Sequence, residues 1–328
     1  MAERKKILIT GAAGYIGDCI IDHLVNQENN QPPHEIHVVD KLLYTDRYMR
    51  PGINFRKMDV TSFEFYEFIK EQKFDVIIHL VAIVGEPACE LMPIEATKIN
   101  EIVVRDLCKI IKEYSPDTRL IFASTCSVYG NNDEFINEES GTSPLGVYAK
   151  TKLNAEEHVR TIKNHLIFRL PTLFGMSTPF GRFRTDLVAN VLALRACEGQ
   201  KLVVFGGEQW RPIAHVKDIG RIFAEATTSD IIGTYIPGGH NYKIIDIANE
   251  IDSIIQGSGG VEKVSMDMNE SRNYKIDSKK AVSAGIKFNY SLKEGISEME
   301  ECIKDGRIKN PWDMKFDNGR FVKHITKE

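Results

Sequence analysis

Residues 7–25 read Ile7-Leu8-Ile9-Thr10-Gly11-Ala12-Ala13-Gly14-Tyr15-Ile16-Gly17-Asp18-Cys19-Ile20-Ile21-Asp22-His23-Leu24-Val25. The opening apolar run has the character of a buried strand, and Ile20, Ile21, Leu24 and Val25 recur at helical spacing. Between them lies a glycine loop, Gly11 to Gly17. A lone glycine triplet is as well explained by an ordinary strand-to-helix turn. Strand, loop and helix in that order point instead to a phosphate-binding turn. The glycines allow the backbone to approach a pyrophosphate, and the helix N-terminus offers free N–H groups and the positive end of its dipole. A second strand follows at residues 36–39, closed by Asp40. An acid there suits the ribose hydroxyls of NAD and repels the extra phosphate of NADP, while the adjacent Lys41 acts against that preference. The expected cofactor is therefore NAD, held by Gly11, Gly14, Tyr15, Ile16, Gly17 and Asp40.

Strand and helix patterns alternate through the first half. Residues 74–80, 119–123 and 166–170 read as strands. Residues 94–114 read as one long helix with Ile99, Ile102, Val103, Leu107, Ile110 and Ile111 at apolar positions, and residues 153–163 continue a helix that begins before them. This rhythm predicts an α/β fold, a Rossmann-like doubly wound, mainly parallel sheet whose ligand lies beyond the carboxyl ends of the strands. The second half is less regular. Residues 176–184 read as a loop, 186–197 as a helix, 201–205 as a strand, and 234–255 as one more strand-helix step. The tail after Pro311 has little periodicity and reads as an irregular arm. The expected division is a dinucleotide-binding domain at 1–172, rejoined by segments near 212–250, and a smaller lobe at 173–328 that mainly binds substrate.

At 328 residues the chain can bury a substantial core. Hydrophobic content of 42%, charged content of 27% and a net charge of −4 are ordinary for a soluble protein and argue against a nucleic-acid-binding surface. No apolar run approaches the roughly 20 residues needed to span a bilayer. The charged start, Met1 to Lys6, lacks the pattern of a signal peptide. Cys19, Cys89, Cys108, Cys126, Cys197 and Cys302 are scattered, with no Cys-x-x-Cys pair and no metal-ligand spacing. Reduced thiols, a cytoplasmic location and no bound metal are expected.

The chemical signal is the segment Tyr148-Ala149-Lys150-Thr151-Lys152. Spacing of four places Tyr148 and Lys152 on one helix face. A phenol ionises near pH ~10, and a neighbouring ammonium favours its charged form. The pair is thus expected to act as a base able to take a proton from an alcohol. Alone, a Tyr four residues before a Lys is a common solvated face. Strand 120–123 runs into Ser124-Thr125-Cys126-Ser127, and Thr125 at its carboxyl end faces the ligand side, where Ser and Thr also commonly satisfy backbone groups.

Taken together these segments resemble the extended short-chain dehydrogenase/reductases of the nucleotide-sugar epimerase and dehydratase group, UDP-glucose 4-epimerase-like. The matching residues are the Gly11 loop, Asp40, residues 57–60, His79 to Ala82, Asn100, Ser124 to Gly130, Tyr148 with Lys152, Arg211 to Asp218, and residues 271–277. The resemblance covers residues about 5 to 300. It implies the fold, bound NAD, a nucleoside-diphosphate sugar substrate and a homodimer. It also implies that Asp59 and Val60 contact adenine, that Leu80, Ala82 and Asn100 lie on the cofactor path, and that Lys152 binds the nicotinamide ribose. Thr125 would polarise the sugar hydroxyl. Arg211 and Arg272 would hold the diphosphate, for which a guanidinium fork suits phosphate oxygens, with Arg182 and Arg184 as weaker candidates. The homodimer expectation is joined by a pattern: helices 94–114 and 148–163 read as apolar on more than one face.

One departure narrows the reaction. Sugar-nucleotide 4,6-dehydratases of this group carry Asp-Glu directly after the catalytic Thr, whereas this chain has Cys126-Ser127. A thiol and a hydroxyl are poor replacements for an acid/base pair. Dehydration is therefore not expected. What remains is C4 oxidation, with 4-epimerisation through a transient 4-keto sugar as the leading reading. A net C4 dehydrogenase or 4-ketoreductase is the alternative, which the segment Leu80 to Cys89 resembles. A catalytically silent NAD-binding regulator is a third reading, opposed by the intact Tyr148, Lys152 and Thr125.

Overall fold

The computed structural model describes residues 4–26, 34–46, 48–265 and 273–327. Seven parallel strands form the central sheet in the spatial order Gly233–Tyr235, His165–Leu170, Arg119–Thr125, Val76–His79, Lys6–Thr10, Glu35–Asp40, Asn54–Lys57. The near-continuous apolar runs of the inner strands follow from this placement, since helices cover both faces of the sheet. The strand order reverses beside Lys6–Thr10, which pairs with Glu35–Asp40 on one side and Val76–His79 on the other. That reversal opens a crevice at the carboxyl ends, where Gly11, Asp40, Leu80, Thr125 and Leu170 gather.

A second, smaller layer lies beyond these ends. The strands Thr172–Phe174, Trp210–His215 and His240–Lys243 form one small sheet, and Leu202–Phe205 pairs with Val261–Val264. The helices Val188–Cys197, Ile244–Ile254 and Leu292–Lys304 pack on them around their own core, which includes Phe174, Leu192, Ile213, Ile251 and Met299. The chain then returns to the main sheet, with Gly233–Tyr235 on its edge and the helix Val216–Glu225 against Gly17–Val25.

The structure departs from the sequence reading in three places. The long helix expected at 94–114 is interrupted: Pro93–Thr97 and Val103–Tyr114 flank a π-helical turn, Lys98–Ile102. Asn100 sits on that turn with no exposed surface, and its amide faces inward to Ile83 and Thr151. The wider turn delivers one polar side chain to the interior without ending the helix. Second, the outer faces of Val103–Tyr114 and Val147–Val159 carry Lys109, Lys112, Glu113, Lys150, Asn154 and Glu157, so neither is apolar all round. Third, the tail contains a helix, Asn318–Ile325, whose N-cap Asp317 accepts from the Arg320 N–H. All six cysteines are free, and five are buried. Among the described residues no helix is long and apolar enough to cross a membrane.

The sheet and the Tyr148 helix are joined by a buried ion pair. Glu156, two turns after Tyr148 and fully buried, accepts from Arg169 Nε at 3.0 Å and Nη2 at 2.7 Å, from Ser124 Oγ at 2.5 Å and from Arg160 Nη2 at 2.5 Å. Arg169 Nη1 also donates to Tyr129 Oη at 2.6 Å. Removing one partner leaves an uncompensated buried charge. Glu156→Ala is expected to lower the unfolding free energy by about 3–5 kcal/mol, read from urea unfolding midpoints against wild type. A loss below about 1 kcal/mol would show that the network contributes no more than a surface pair.

Candidate functional site

A cleft of about 820 Å³ follows the carboxyl edge of the sheet and continues under the smaller lobe. Its floor at one end is the glycine loop. Gly11 has φ 76°, and a Cβ at Gly17 would stand 2.4 Å from Ala12 Cα, so both positions require glycine. The helix Gly17–Val25 has no side-chain cap at Ile16, which leaves its N-terminal amides to a ligand. Gly14, Tyr15 and Ile16 line the cleft beside them. Asp40 closes the second strand at the same end. Its Oδ2 accepts from Ala13 N at 3.0 Å and its Oδ1 from Leu42 N at 2.7 Å. Burial raises its carboxyl pKa, and these two hydrogen bonds oppose the rise. A backbone cradle at an uncapped helix end with a fixed carboxylate beside it fits the pyrophosphate and ribose of NAD.

The other residues expected on the cofactor path divide. Asp59, Val60, Leu80 and Ala82 line the cleft. Asp59 is engaged on two sides, by Lys41 Nζ at 2.7 Å and by Thr61 N at 2.9 Å, so Lys41 is committed to a carboxylate. Asn100 is not in the lining. Its Oδ1 accepts from Ile83 N at 2.8 Å, and its Nδ2 donates to Ile83 O at 3.0 Å and to Thr151 Oγ1 at 3.2 Å. It therefore shapes the cleft wall through Ile83 from behind.

Tyr148, Lys152 and Thr125 come together in the middle of the cleft. Thr125 is near enough to the Tyr148 phenol to influence it, while its Oγ1 donates to Ser127 Oγ at 3.2 Å and accepts from Ser127 N at 3.1 Å. Helical spacing brings Lys152 to the same face, yet its ammonium lies 4.5 Å from the centroid of the Phe122 ring. Burial pulls the Lys152 pKa down to about 8, against the opposing influence of Cys89 and Glu156. The phenol does not show the lowered pKa expected from the Tyr148/Lys152 spacing. Burial raises it, Cys89 and Glu86 add to the rise, and Arg184 and the Thr125 hydroxyl oppose it. The cause is dielectric: a buried group loses more solvation as an anion than a cation one turn away restores. His79, beneath the pair, is held neutral; burial and the nearby Lys152 push its pKa to about 3, and Thr10 Oγ1 lies 3.0 Å from its Nδ1.

The arginines occupy different stations. Arg184 lies within electrostatic reach of Tyr148 and Tyr15, and its Nε and Nη2 pair with Asp186 at 2.9 and 2.7 Å. It therefore lines the cleft close to Tyr148. Arg182 is turned to the C-terminal arm, donating from Nε to Lys315 O at 2.5 Å and from Nη1 to Asn318 Oδ1 at 2.6 Å. Arg211 lines the cleft beside Tyr274, donating from Nη1 to Trp210 O at 2.9 Å. Arg272 lies outside the described residues.

Three lining groups escaped the sequence reading. Arg195 also faces the cleft; within the helix read at 186–197 nothing local distinguishes it. Glu86 sits at the head of the helix Glu86–Leu91, and both its oxygens accept backbone N–H groups of the Tyr148 helix. Asp317, Asn318 and Gly319 of the arm complete the rim, with Asn318 Nδ2 donating to Val84 O at 3.0 Å. Neither Glu86 nor the arm gives a local signal, since each acts on residues far away in the chain. A second depression of about 750 Å³ lies at the amino ends of the strands, among Lys5, Asp75, Arg119 and Asp230; it has no glycine loop. Among the described residues no cluster of His, Cys, Asp and Glu could hold a metal.

The chain belongs to the NAD dependent epimerase/dehydratase family, which it matches over residues 7–234. UDP-glucuronic acid decarboxylase 1 of Xenopus tropicalis is 24% identical to it, over 97% of this chain and 78% of the relative. dTDP-glucose 4,6-dehydratase of Escherichia coli is 28% identical, over 76% of each chain. Among solved structures, UDP-glucose 4-epimerase of Thermotoga maritima with UDP-glucose superimposes with a TM-score of 0.79 at 21% identity, covering 92% of this chain and 99% of that one. That likeness establishes the fold. The family's cofactor is the one the glycine loop and Asp40 lead to. Asp40 should favour NAD over NADP, since a 2′-phosphate would meet a carboxylate already fixed by two amides. Equilibrium titration with both cofactors checks this, and tighter binding of NADP would overturn it.

Proposed function

We propose that this chain is an NAD-dependent enzyme that oxidises a nucleoside-diphosphate sugar at C4 and epimerises it through a transient 4-keto sugar. The observation that carries the reading is that Tyr148, Lys152, Thr125 and Arg184 line one cleft at the carboxyl edge that also presents the glycine loop and Asp40. NAD, when bound, accepts and returns the C4 hydride and brings a positive ring into the cleft. Tyr148 Oη takes the proton of the C4 hydroxyl, holds it while the carbonyl exists, and gives it back to the C4 oxygen after the sugar has turned over. Thr125 Oγ1 donates to that oxygen and keeps it against the phenol. Lys152 binds the nicotinamide ribose. Arg211 and Arg195, with Arg272, hold the diphosphate while the ring turns. Dehydration is disfavoured by the same surroundings: the Cys126 thiol is buried and donates to Arg169 O, and Ser127 offers the cleft only a hydroxyl.

The homodimer is part of this proposal. The helices Val103–Tyr114 and Val147–Val159 would meet their copies through their polar outer faces, with Leu91 and Ile94, which is 78% exposed, supplying the apolar contacts beside them. A monomer by sedimentation at micromolar concentration would refute it. The same reading places the enzyme in the cytoplasm.

Mass spectrometry of ligands released from the purified protein, followed by product analysis, tests the reaction. A C4-epimeric pair at equilibrium with no net NADH supports epimerisation, and stoichiometric NADH shows a net dehydrogenase. Tyr148→Phe should keep fold and NAD binding but lose at least ~10² in turnover, the scale of removing a general base. Near-wild-type turnover would exclude Tyr148 as the base. Arg211→Ala should raise the substrate KM roughly 10- to 100-fold, matching the loss of about 1.5–3 kcal/mol for a charge-assisted contact, with NAD affinity unchanged. Normal sugar-nucleotide binding with lost NAD would reassign the residue.

A further inference from the structure

The helix that carries Tyr148 lacks a cap of its own. Its N-cap is Gly146, in extended conformation, with no side chain to accept from the first turn. The first-turn amides are nevertheless satisfied. Glu86 Oε2 accepts from Tyr148 N at 3.0 Å and Oε1 from Ala149 N at 3.1 Å. These are the two positions that an N-cap Ser, Asn or Asp would serve. A Cβ placed on Gly146 would stand 2.0 Å from Glu86 Oε2 and 2.3 Å from its Cδ. The carboxylate thus occupies the room that a capping side chain at 146 would need.

We propose that Glu86 is the positioning residue of the reaction, capping the Tyr148 helix from another element and fixing the backbone from which the phenol projects. The proposal rests on the reading of Tyr148 as the base. The loop that presents Glu86 is fastened to the same helix a second time, since Asn100 bonds both Ile83 and Thr151, and Thr151 Oγ1 donates to Tyr148 O at 3.0 Å. Asn318 holds the loop from the arm side through Val84 O. The helix start is therefore set by the cleft wall and cannot slide independently of it.

Glu86 also places a negative charge before the phenol. The groups that act on Tyr148 are Cys89 and Glu86 from the helix Glu86–Leu91, Arg184 from the smaller lobe, and the Thr125 hydroxyl at the end of the strand Arg119–Thr125. Lys152 stands one turn along its own helix, and Asp186 offsets Arg184. Of these, Cys89 and Glu86 raise the phenol's pKa.

The test uses four variants of the full chain with NAD bound. In Glu86→Ala, kcat falls roughly 10- to 100-fold, the scale of a misplaced reacting group, while KM for the sugar nucleotide changes little. In Gly146→Ser alone, kcat also falls, because the new side chain meets Glu86. In the double variant Glu86→Ala/Gly146→Ser, the serine caps the helix in place of the lost carboxylate, and kcat recovers to within a few-fold of wild type. Its acidic limb of kcat against pH then lies at lower pH than in wild type, because a charge that favoured the neutral phenol is gone. A purely structural cap would be rescued without that displacement. Wild-type turnover in Glu86→Ala, a double variant no better than the single one, or an unmoved pH profile after rescue would each overturn the proposal. Tyr148→Phe, measured beside them, separates its failure from that of the base assignment: full turnover there removes the base, whatever Glu86 does.

Discussion

The geometry of the site depends on one buried carboxylate. Glu156 has no exposed surface, yet it joins the ends of two sheet strands, through Ser124 and Arg169, to the helix that carries Tyr148 and Lys152. Thr125 follows Ser124 directly, so the distance between the Thr125 hydroxyl and the Tyr148 phenol is fixed by this junction. Replacing a buried ion pair by apolar residues of similar volume is often neutral or stabilising. The value of Glu156 therefore lies in specificity: an apolar contact would hold the helix on the sheet but would not select one register along it. A misplacement of about 1 Å at a reacting centre can cost on the order of 10² in rate.

Burial of that helix also decides how the phenol ionises. Sequence spacing puts Lys152 one turn from Tyr148, and in water that neighbour would lower the phenol pKa. In the folded protein Lys152 itself loses solvation and shifts to about 8, and its ammonium lies against the Phe122 face. The groups that lower the phenol come from elsewhere: Arg184 in the smaller lobe and Thr125 at a strand end. The pair is brought together as the spacing requires, while the electrostatics follow from the walls around it.

The same contrast runs through what the sequence discloses. The glycine loop, Asp40 and the alternating apolar runs are local signals, because a turn, an uncapped helix start and a buried strand are each specified by adjacent residues. They suffice for a doubly wound, mainly parallel sheet, its crevice and the cofactor, though not for the edge strand Asn54–Lys57, most of which is exposed and carries no apolar run. The π-turn at Lys98–Ile102 was not legible, since its cause is the contact of Asn100 with Ile83 and Thr151. The capping role of Glu86 acts across 62 residues, and the Asn318 bond to Val84 across 234. Arg184 had a visible charge but no visible station, because the loop that holds it gives no periodic pattern. Residue type could nominate these groups; only the fold assigns their partners.

Charge balance in the cleft bears on the order of events. Arg184 is already paired through two of its nitrogens with Asp186, so it gives the phenol less than a full positive charge. Glu86 and Cys89 oppose it, and burial opposes it further. Together these influences hold the phenol's pKa above its ordinary value, burial contributing most. Each pKa unit by which an added cation lowers it corresponds to about 1.36 kcal/mol of differential interaction. The positive ring of bound NAD would supply such a charge in a low-dielectric space, where a charge acts most strongly. Under the proposed reaction, the readiness of the Tyr148 phenol to take a proton would therefore rise with a cation bound beside it.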